Sequence, residues 1–377
     1  MAHSVWTGGS RHPGRAALPH ENIQNLNSIV GIITYHKSLS YGACLQAIAT
    51  QECVRKIMNS DEVYLIDYIN EYEARQKSWK FIFKGTIKEI AVTIIKRVLF
   101  RNEFYKKRAF HEFICNEKVI PFDSVDKCSV LISGSDQIWN GKISNGIDRH
   151  FLLDFGNAIR KISIASSMGG YIISKQEKNV FRELLSKYDY ISVREKFTKN
   201  QIEGIVDKNI YTILDPTLLI DATEWREIVV DNKKYIKYKF IPKSYILAFT
   251  IGSNHTNESE LFKRYSEKYK LPVYKIMLNT FKPKGIDKVI PGANPYEFID
   301  LIDNAAFVIT NSFHGTAFSL NLNTPFVQIP VEGNNQRMQE LLELVKWDET
   351  MNFENTNKII KQKREDDIKW LKNALDV

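Results

Sequence analysis

Cysteine is scarce in this 377-residue chain. Cys44, Cys53, Cys115 and Cys128 show no C-x-x-C spacing and no histidine pairing. That excludes a zinc ribbon and a disulfide-stapled secreted scaffold, and it predicts free thiols in a reducing, cytoplasmic compartment. No apolar run reaches the length of a membrane span, and no secretory signal precedes the first strand. No glycine pattern reads G-x-G-x-x-G, so no dinucleotide is inferred. No nucleic-acid-binding motif accompanies the positive charge, which makes nucleic acid the weaker partner class. No carboxylate cluster argues for a metal. What remains is the composition of a globular protein, 44% hydrophobic, 25% charged and 12% aromatic, in a chain too long for one ordinary core.

The net charge of +8 is concentrated. Residues 84–108 hold Lys84, Lys88, Lys96, Arg97, Arg101, Lys106, Lys107 and Arg108 against only Glu89 and Glu103. Ile87, Ile90, Ala91, Ile94, Ile95, Val98 and Leu99 form an apolar stripe at helical spacing. Such a helix either packs on its own domain with solvated lysines outward or lies on an anionic membrane surface.

Residues 1–28 have no periodicity and read as an unstructured leader or appended sequence. From there strands and helices alternate. Strands are predicted at 29–34, 63–68, 129–133, 161–165, 190–193 and 211–214, with a helix at 43–58 after the loop 35–42. A lysine-rich helix and linker follow at 221–243. Then come strands at 244–251, 273–278, 307–309 and 325–329, and helices at 258–269, 295–304 and 335–345. A last amphipathic segment carries Ile368, Leu371 and Leu375. This alternation predicts an α/β fold of two Rossmann-like domains facing across a cleft, GT-B-like, with a C-terminal helix that can cross back. The expected boundaries are 29–225 for the acceptor-side domain, 226–243 for the linker, 244–350 for the donor-side domain and 351–377 for the final helix.

Residues 306–330 organise the chemistry. A buried strand ends in Thr310, Asn311 and Ser312, and a helix starts at Phe313 to Thr316. Strand, polar turn and helix N-terminus make an anion site, because the first-turn amides lack intrahelical partners and the macrodipole adds positive potential. His314 lies in that turn, where an imidazole can act as acid or base; the alternative is a histidine that only caps the helix. Gly315 would let a ligand approach the backbone. Arg194, at the end of a buried strand, is suited to clamp a carboxylate or phosphate, or to pair with Asp189 or Glu195. After the strand at 129–133, Asp136 and Gln137 can point into a cleft and Trp139 can serve as a stacking surface or as core.

Several stretches carry a resemblance. They are Y-G-A-C-L-Q-A (41–47), G-S-D-Q-I-W-N (134–140), Ser166-Ser167, I-S-V-R-E (191–195), L-D-P-T-L-L (214–219) and T-N-S-F-H-G-T-A-F-S (310–319). Asn335, Arg337, Leu341 and Leu342 then complete an N-x-R-x-x-x-L-L pattern. In this order they resemble the polysaccharide pyruvyl transferase family over nearly all of residues 31–344. Ser40 replaces the family's usual asparagine, and Asn311 its frequent aspartate.

The resemblance implies transfer of pyruvate from phosphoenolpyruvate onto two hydroxyls of a sugar, giving a cyclic ketal. The acceptor would be a bacterial glycan under assembly, often lipid-linked, in capsule or exopolysaccharide. No cofactor is implied beyond phosphoenolpyruvate as co-substrate, and no metal. Arg194 would clamp one anionic group, while Ser312, His314, Gly315 and Thr316, with Arg337, would hold the other, and Ser167 would also bind the donor. His314 would move the proton. Asp136 and Gln137 would hold sugar hydroxyls, with Tyr41, Gly42 and Trp139 on the acceptor side. The competing readings are a GT-B glycosyltransferase using a nucleotide sugar and a non-catalytic protein of a glycan-assembly complex.

Overall fold

Among the described residues, short aliphatic runs separated by turn residues give twelve parallel strands in two sheets. The computed structural model describes residues 28–77, 86, 109–110, 113, 118–252, 258–277, 282–330, 336–348 and 353–377. Apart from Thr86, the basic window 84–108 lies outside the described residues, as do residues 1–27.

The first sheet contains β1 (Val30–Ile33), β2 (Val63–Asp67), β3 (Val119–Pro121), β4 (Val130–Ser133), β5 (Arg160–Ser166), β6 (Tyr190–Val193) and β7 (Ile210–Thr212), in the order β3-β2-β1-β4-β5-β6-β7. The second contains β8 (Ile246–Phe249), β9 (Val273–Met277), β10 (Lys288–Pro291), β11 (Phe307–Thr310) and β12 (Phe326–Gln328), in the order β10-β9-β8-β11-β12. The inner strands β1, β4, β8 and β11 are buried along their whole length, as expected of parallel strands covered on both faces. Two strands escaped the sequence pattern, β3 and β10. Each is an outermost strand ending in proline, where burial is partial and a missing N–H is tolerated.

The topology fixes where a ligand can sit. Strand order reverses between β1 and β4 in the first sheet and between β8 and β11 in the second, and ligands bind beyond the carboxyl ends of strands at such switch points. The helix Tyr41–Met58 leaves β1 at the first of these; it ends at Asn59, whose left-handed φ of 47° and backbone N–H close the last turn. The helix Phe313–Leu322 leaves β11 at the second. Between the lobes, Ala222–Asp231 is a helix with a full capping box from Asp221 and Glu224, and Trp225 packs edge-on against Phe318.

One apolar cluster runs without a break from Val30 and Ile132 of the first sheet, through Tyr41, Leu218 and Trp225, to Phe298 and Val308 of the second lobe. The last helix, Phe353–Leu375, does cross back. Trp370 stacks on Tyr211 at 5.1 Å, Asp367 accepts from the Leu214 amide, and Arg160 donates to the Ala374 carbonyl. The same helix holds both lobes through Arg364, which donates to the Leu218 carbonyl and to Asn321 Oδ1.

Candidate active site between the two sheets

Loops from the carboxyl ends of β1, β4, β5, β6, β7 and β11 converge on one place. At its centre is His314, in the first turn of Phe313–Leu322 and only 8% exposed. Ser312 caps this helix by accepting from the Gly315 amide, leaving the Phe313 and His314 amides without intrahelical partners. His314 Nε2 stands 3.6 Å from Asp215 Oδ2, an ion-pair separation too long for a hydrogen bond, and it has no hydrogen-bond partner. Its Nδ1 edge faces Gly42, the second residue of Tyr41–Met58. A Cβ placed on Gly42 would lie 2.1 Å from Nδ1, so glycine is the residue that lets the imidazole occupy this position. Two helix N-termini, one from each lobe, therefore meet at one histidine.

Asp215 is the hub of the charge pattern. It caps the short helix Pro216–Leu219 by accepting from the Thr217 amide and hydroxyl, and it accepts from Arg194 Nη1 at 2.8 Å. Burial alone would push its carboxyl up, but His314, Arg194 and Thr217 outweigh it and hold the group well below the usual carboxylate range.

Arg194, only 8% exposed, is more fully engaged than a free clamp would be. Besides Asp215, its Nη2 donates to Ser167 Oγ at 3.2 Å and its Nε reaches Glu195 Oε2 at 3.5 Å. Of the five N–H groups of a guanidinium, one on each Nη is left. The ion pair with Glu195 weighed from the sequence is present, but Asp215 is the closer partner. Glu195 in turn accepts from Ser167, Met168 N and Thr198. Burial lowers the guanidinium's basicity, yet Asp215, Glu195 and Asp136 leave it more basic than usual.

The second lobe brings Arg337 to the same place. Its guanidinium lies 6.0 Å from the Phe313 ring centre, and that of Arg194 lies 4.8 Å from the same ring. Burial and the like charge of Arg194 both depress Arg337. With its amide oxygen turned towards Arg337, Gln137 accepts from Nη1 and Nη2 at 3.2 and 3.1 Å, while Arg337 Nε has no partner. Asp215 and Glu195 offset the charge of Arg194, whereas Arg337 makes no ion pair with a carboxylate among the described residues.

Other expected site residues fall elsewhere. Tyr41 was expected on the acceptor side. Instead it is buried in the inter-lobe core, stacked on Phe298 at 4.6 Å, with its hydroxyl donating to the Ala293 carbonyl. Trp139 is likewise core, edge-on to Phe181 and Tyr188 and donating to the Phe151 carbonyl. Gly315 does not open the backbone to a ligand, since the Thr310 hydroxyl fills that space, 2.3 Å from where a Cβ would stand. Thr316 is fully buried and turned to Met338. Ser167 lies beneath Arg194, and Asp136 is part-exposed at the cleft.

Asp215 and Glu195 were not singled out as site residues. The signal for Asp215 was present: an aspartate before proline at a strand end is a helix cap aimed at the carboxyl edge. Among the described residues no three or more His, Cys, Asp or Glu side chains gather as a metal-ligand set would, no helix is long and apolar enough to cross a membrane, and Cys44, Cys53 and Cys128 are buried and unbridged.

Two parallel α/β sheets with their carboxyl edges turned to one polar cleft define a GT-B-like architecture. A family model described as polysaccharide pyruvyl transferase matches residues 41–332, and the chain belongs to that family, whose members are transferases of polysaccharide biosynthesis. No curated protein sequence matches the chain. Among solved structures it is similar to UDP-GlcNAc 2-epimerase from Neisseria meningitidis, at 10% identity over 92% of this chain and 99% of that one, with a TM-score of 0.47. It is also similar to UDP-GlcNAc 2-epimerase from Methanocaldococcus jannaschii, at 14% identity over 89% and 92% with a TM-score of 0.43, and to E. coli heptosyltransferase WaaC, at 10% identity over 81% and 91% with a TM-score of 0.38.

Proposed function

We propose that this transferase takes pyruvate from phosphoenolpyruvate and forms a cyclic ketal with two hydroxyls of a sugar in a bacterial polysaccharide, often one carried on a lipid. The observation that carries this reading is the pairing of Arg194 and Arg337 around Phe313, beside two helix N-termini and one imidazole. Phosphoenolpyruvate has a carboxylate and a phosphate close together, and two cations with oriented amides are what such a donor needs. The unpartnered Arg337 Nε and the two remaining N–H groups of Arg194 are the donors available to it.

A proton adds to the methylene carbon, and the first sugar oxygen bonds to the resulting oxocarbenium-like carbon. Phosphate then leaves and the second oxygen closes the ketal. Of the two hydroxyl protons, one replaces that delivered to carbon and the other leaves with phosphate. His314 is the proton carrier, and Asp215 stabilises it when charged. The positive groups around Phe313 stabilise the departing phosphate. Asp136 holds acceptor hydroxyls on the first-lobe side, while Gln137 faces Arg337 and positions it.

Phosphoenolpyruvate alone should raise the melting temperature, reaching about 2.7 kcal/mol of added stability at a hundredfold excess over Kd. Arg337→Ala should abolish the shift. Stabilisation by a nucleotide sugar and none by phosphoenolpyruvate would move the protein to the glycosyltransferase reading. Gly42→Ala gives a sharper local check. The new methyl drives the imidazole off its position, and turnover should fall about 10²-fold while circular dichroism stays unchanged; full activity would show that the placement of His314 is irrelevant.

A further inference from the structure

The two arginines beside Phe313 are held very differently. Arg194 is tied to Asp215, Glu195 and Ser167. Arg337 has only the neutral Gln137 amide and the Phe313 ring, and ordering so long a side chain costs rotamer entropy. Its place therefore depends on the helix that carries it. That helix, Gln336–Leu344, presents two faces. Met338 and Leu341, neighbours at helical spacing, are buried, with Met338 accepting from the Thr316 hydroxyl of its own lobe. Arg337 and Glu340 share the adjoining face and reach the first lobe. Arg337 meets Gln137 there, and Glu340 Oε2 accepts from the Lys196 amide at 2.8 Å.

Lys196 opens the helix Lys196–Glu203, so its amide has no intrahelical partner. The N-cap residue, Glu195, makes no cap with its side chain. That carboxylate is turned the other way, accepting from the Ser167 hydroxyl at 2.7 Å and from the Met168 and Gly169 amides at 3.2 and 3.3 Å. Glu340 supplies the missing cap from the opposite lobe. A carboxylate suits that position, because the free amide and the macrodipole both favour it. Lys196 lies just beyond Arg194 in the chain, and Glu340 lies one helical turn beyond Arg337. One hydrogen bond thus joins the two backbone segments that carry the two guanidinium groups.

We propose that Glu340 is a positioning residue for the anionic donor: by capping Lys196–Glu203 across the cleft, its carboxylate holds Arg337 beside Arg194 before the donor arrives. It acts through Arg337 and not on the donor. The inference rests on the proposed function for the identity of the anion, and on the geometry alone for the latch. A cation already in place spends less of the binding energy on being ordered, so the latch appears as donor affinity.

The test compares Glu340→Ala and Glu340→Gln with wild type in the full chain. Titration calorimetry with phosphoenolpyruvate reads the donor Kd, and proton–nitrogen NMR of arginine-labelled protein reads the Arg337 Nε–H signal, identified by its loss in Arg337→Lys. Glu340→Ala should raise the Kd about tenfold, with turnover at saturating donor within about twofold of wild type, as expected when only ground-state binding is lost. Glu340→Gln keeps an oxygen for the Lys196 amide and should bind at least as tightly as wild type. The sign separates a latch from a charge effect, since deleting a negative charge would by itself tighten the binding of an anion. Without ligand, the Arg337 signal should move in Glu340→Ala and stay in Glu340→Gln. The proposal is overturned if Glu340→Ala keeps the wild-type Kd, if Glu340→Gln is weakened as much as Glu340→Ala, or if the Arg337 signal is the same in all three proteins. A wild-type protein that ignores phosphoenolpyruvate would remove the donor reading alone, and the Arg337 signal would then decide the latch.

Discussion

Replacing His314 with alanine is expected to lower phosphate release from phosphoenolpyruvate, in the presence of a sugar acceptor, by about 10²–10⁴-fold. The reason lies in its surroundings. Its Nε2 stands 3.6 Å from Asp215 Oδ2, and the guanidinium groups of Arg194 and Arg337 meet at the neighbouring Phe313 ring. His314→Gln should be almost as impaired, since an amide matches much of the shape and cannot carry the proton. Both variants should keep their circular dichroism, with a modest fall in melting temperature because Asp215 loses the ring beside it. Turnover near the wild-type rate in either variant would remove His314 from the mechanism.

The second large effect is on stability. Asp215→Ala leaves the guanidinium of Arg194 buried without its closest counter-charge and should cost about 3–5 kcal/mol, read from urea midpoints. Asp215→Asn keeps a helix-capping oxygen and separates the charge from the cap. The pH dependence has a definite sign. The folded carboxyl titrates well below its ordinary value, so its contribution is fully present above the ordinary aspartate range near pH ~3.9. It is lost as pH falls through the folded value. The gap between wild type and Asp215→Asn should therefore be flat around neutrality and narrow only in strong acid. A gap that opened or closed near pH 7 would contradict this assignment.

The architecture was legible because parallel strands are written as short aliphatic runs, and the inner strands of both sheets are such runs. What escaped were β3 and β10, whose prolines and partial burial blur that pattern. At the site, His314, Arg194 and Arg337 were legible from residue type and from their place at strand or helix ends. Aromatic residues were not, since Tyr41 and Trp139 look identical in sequence whether they face a sugar or a core. The burial that decides between them comes from the other lobe for Tyr41 and from the Glu177–Leu185 helix for Trp139. Asp215 illustrates the opposite case: its local role as a cap was readable, but its contact with His314 spans 99 positions and exists only once the lobes are docked.

The helix that ends the chain has a mechanical consequence. Arg364 grips Leu218 on one side and Asn321 on the other, while Trp370 and Arg160 rivet the same helix to the rim of the first sheet. Any wide swing of the lobes would have to tear these fastenings and split the shared apolar seam beneath them. Opening the lobes in that way would forfeit these contacts each time it happened.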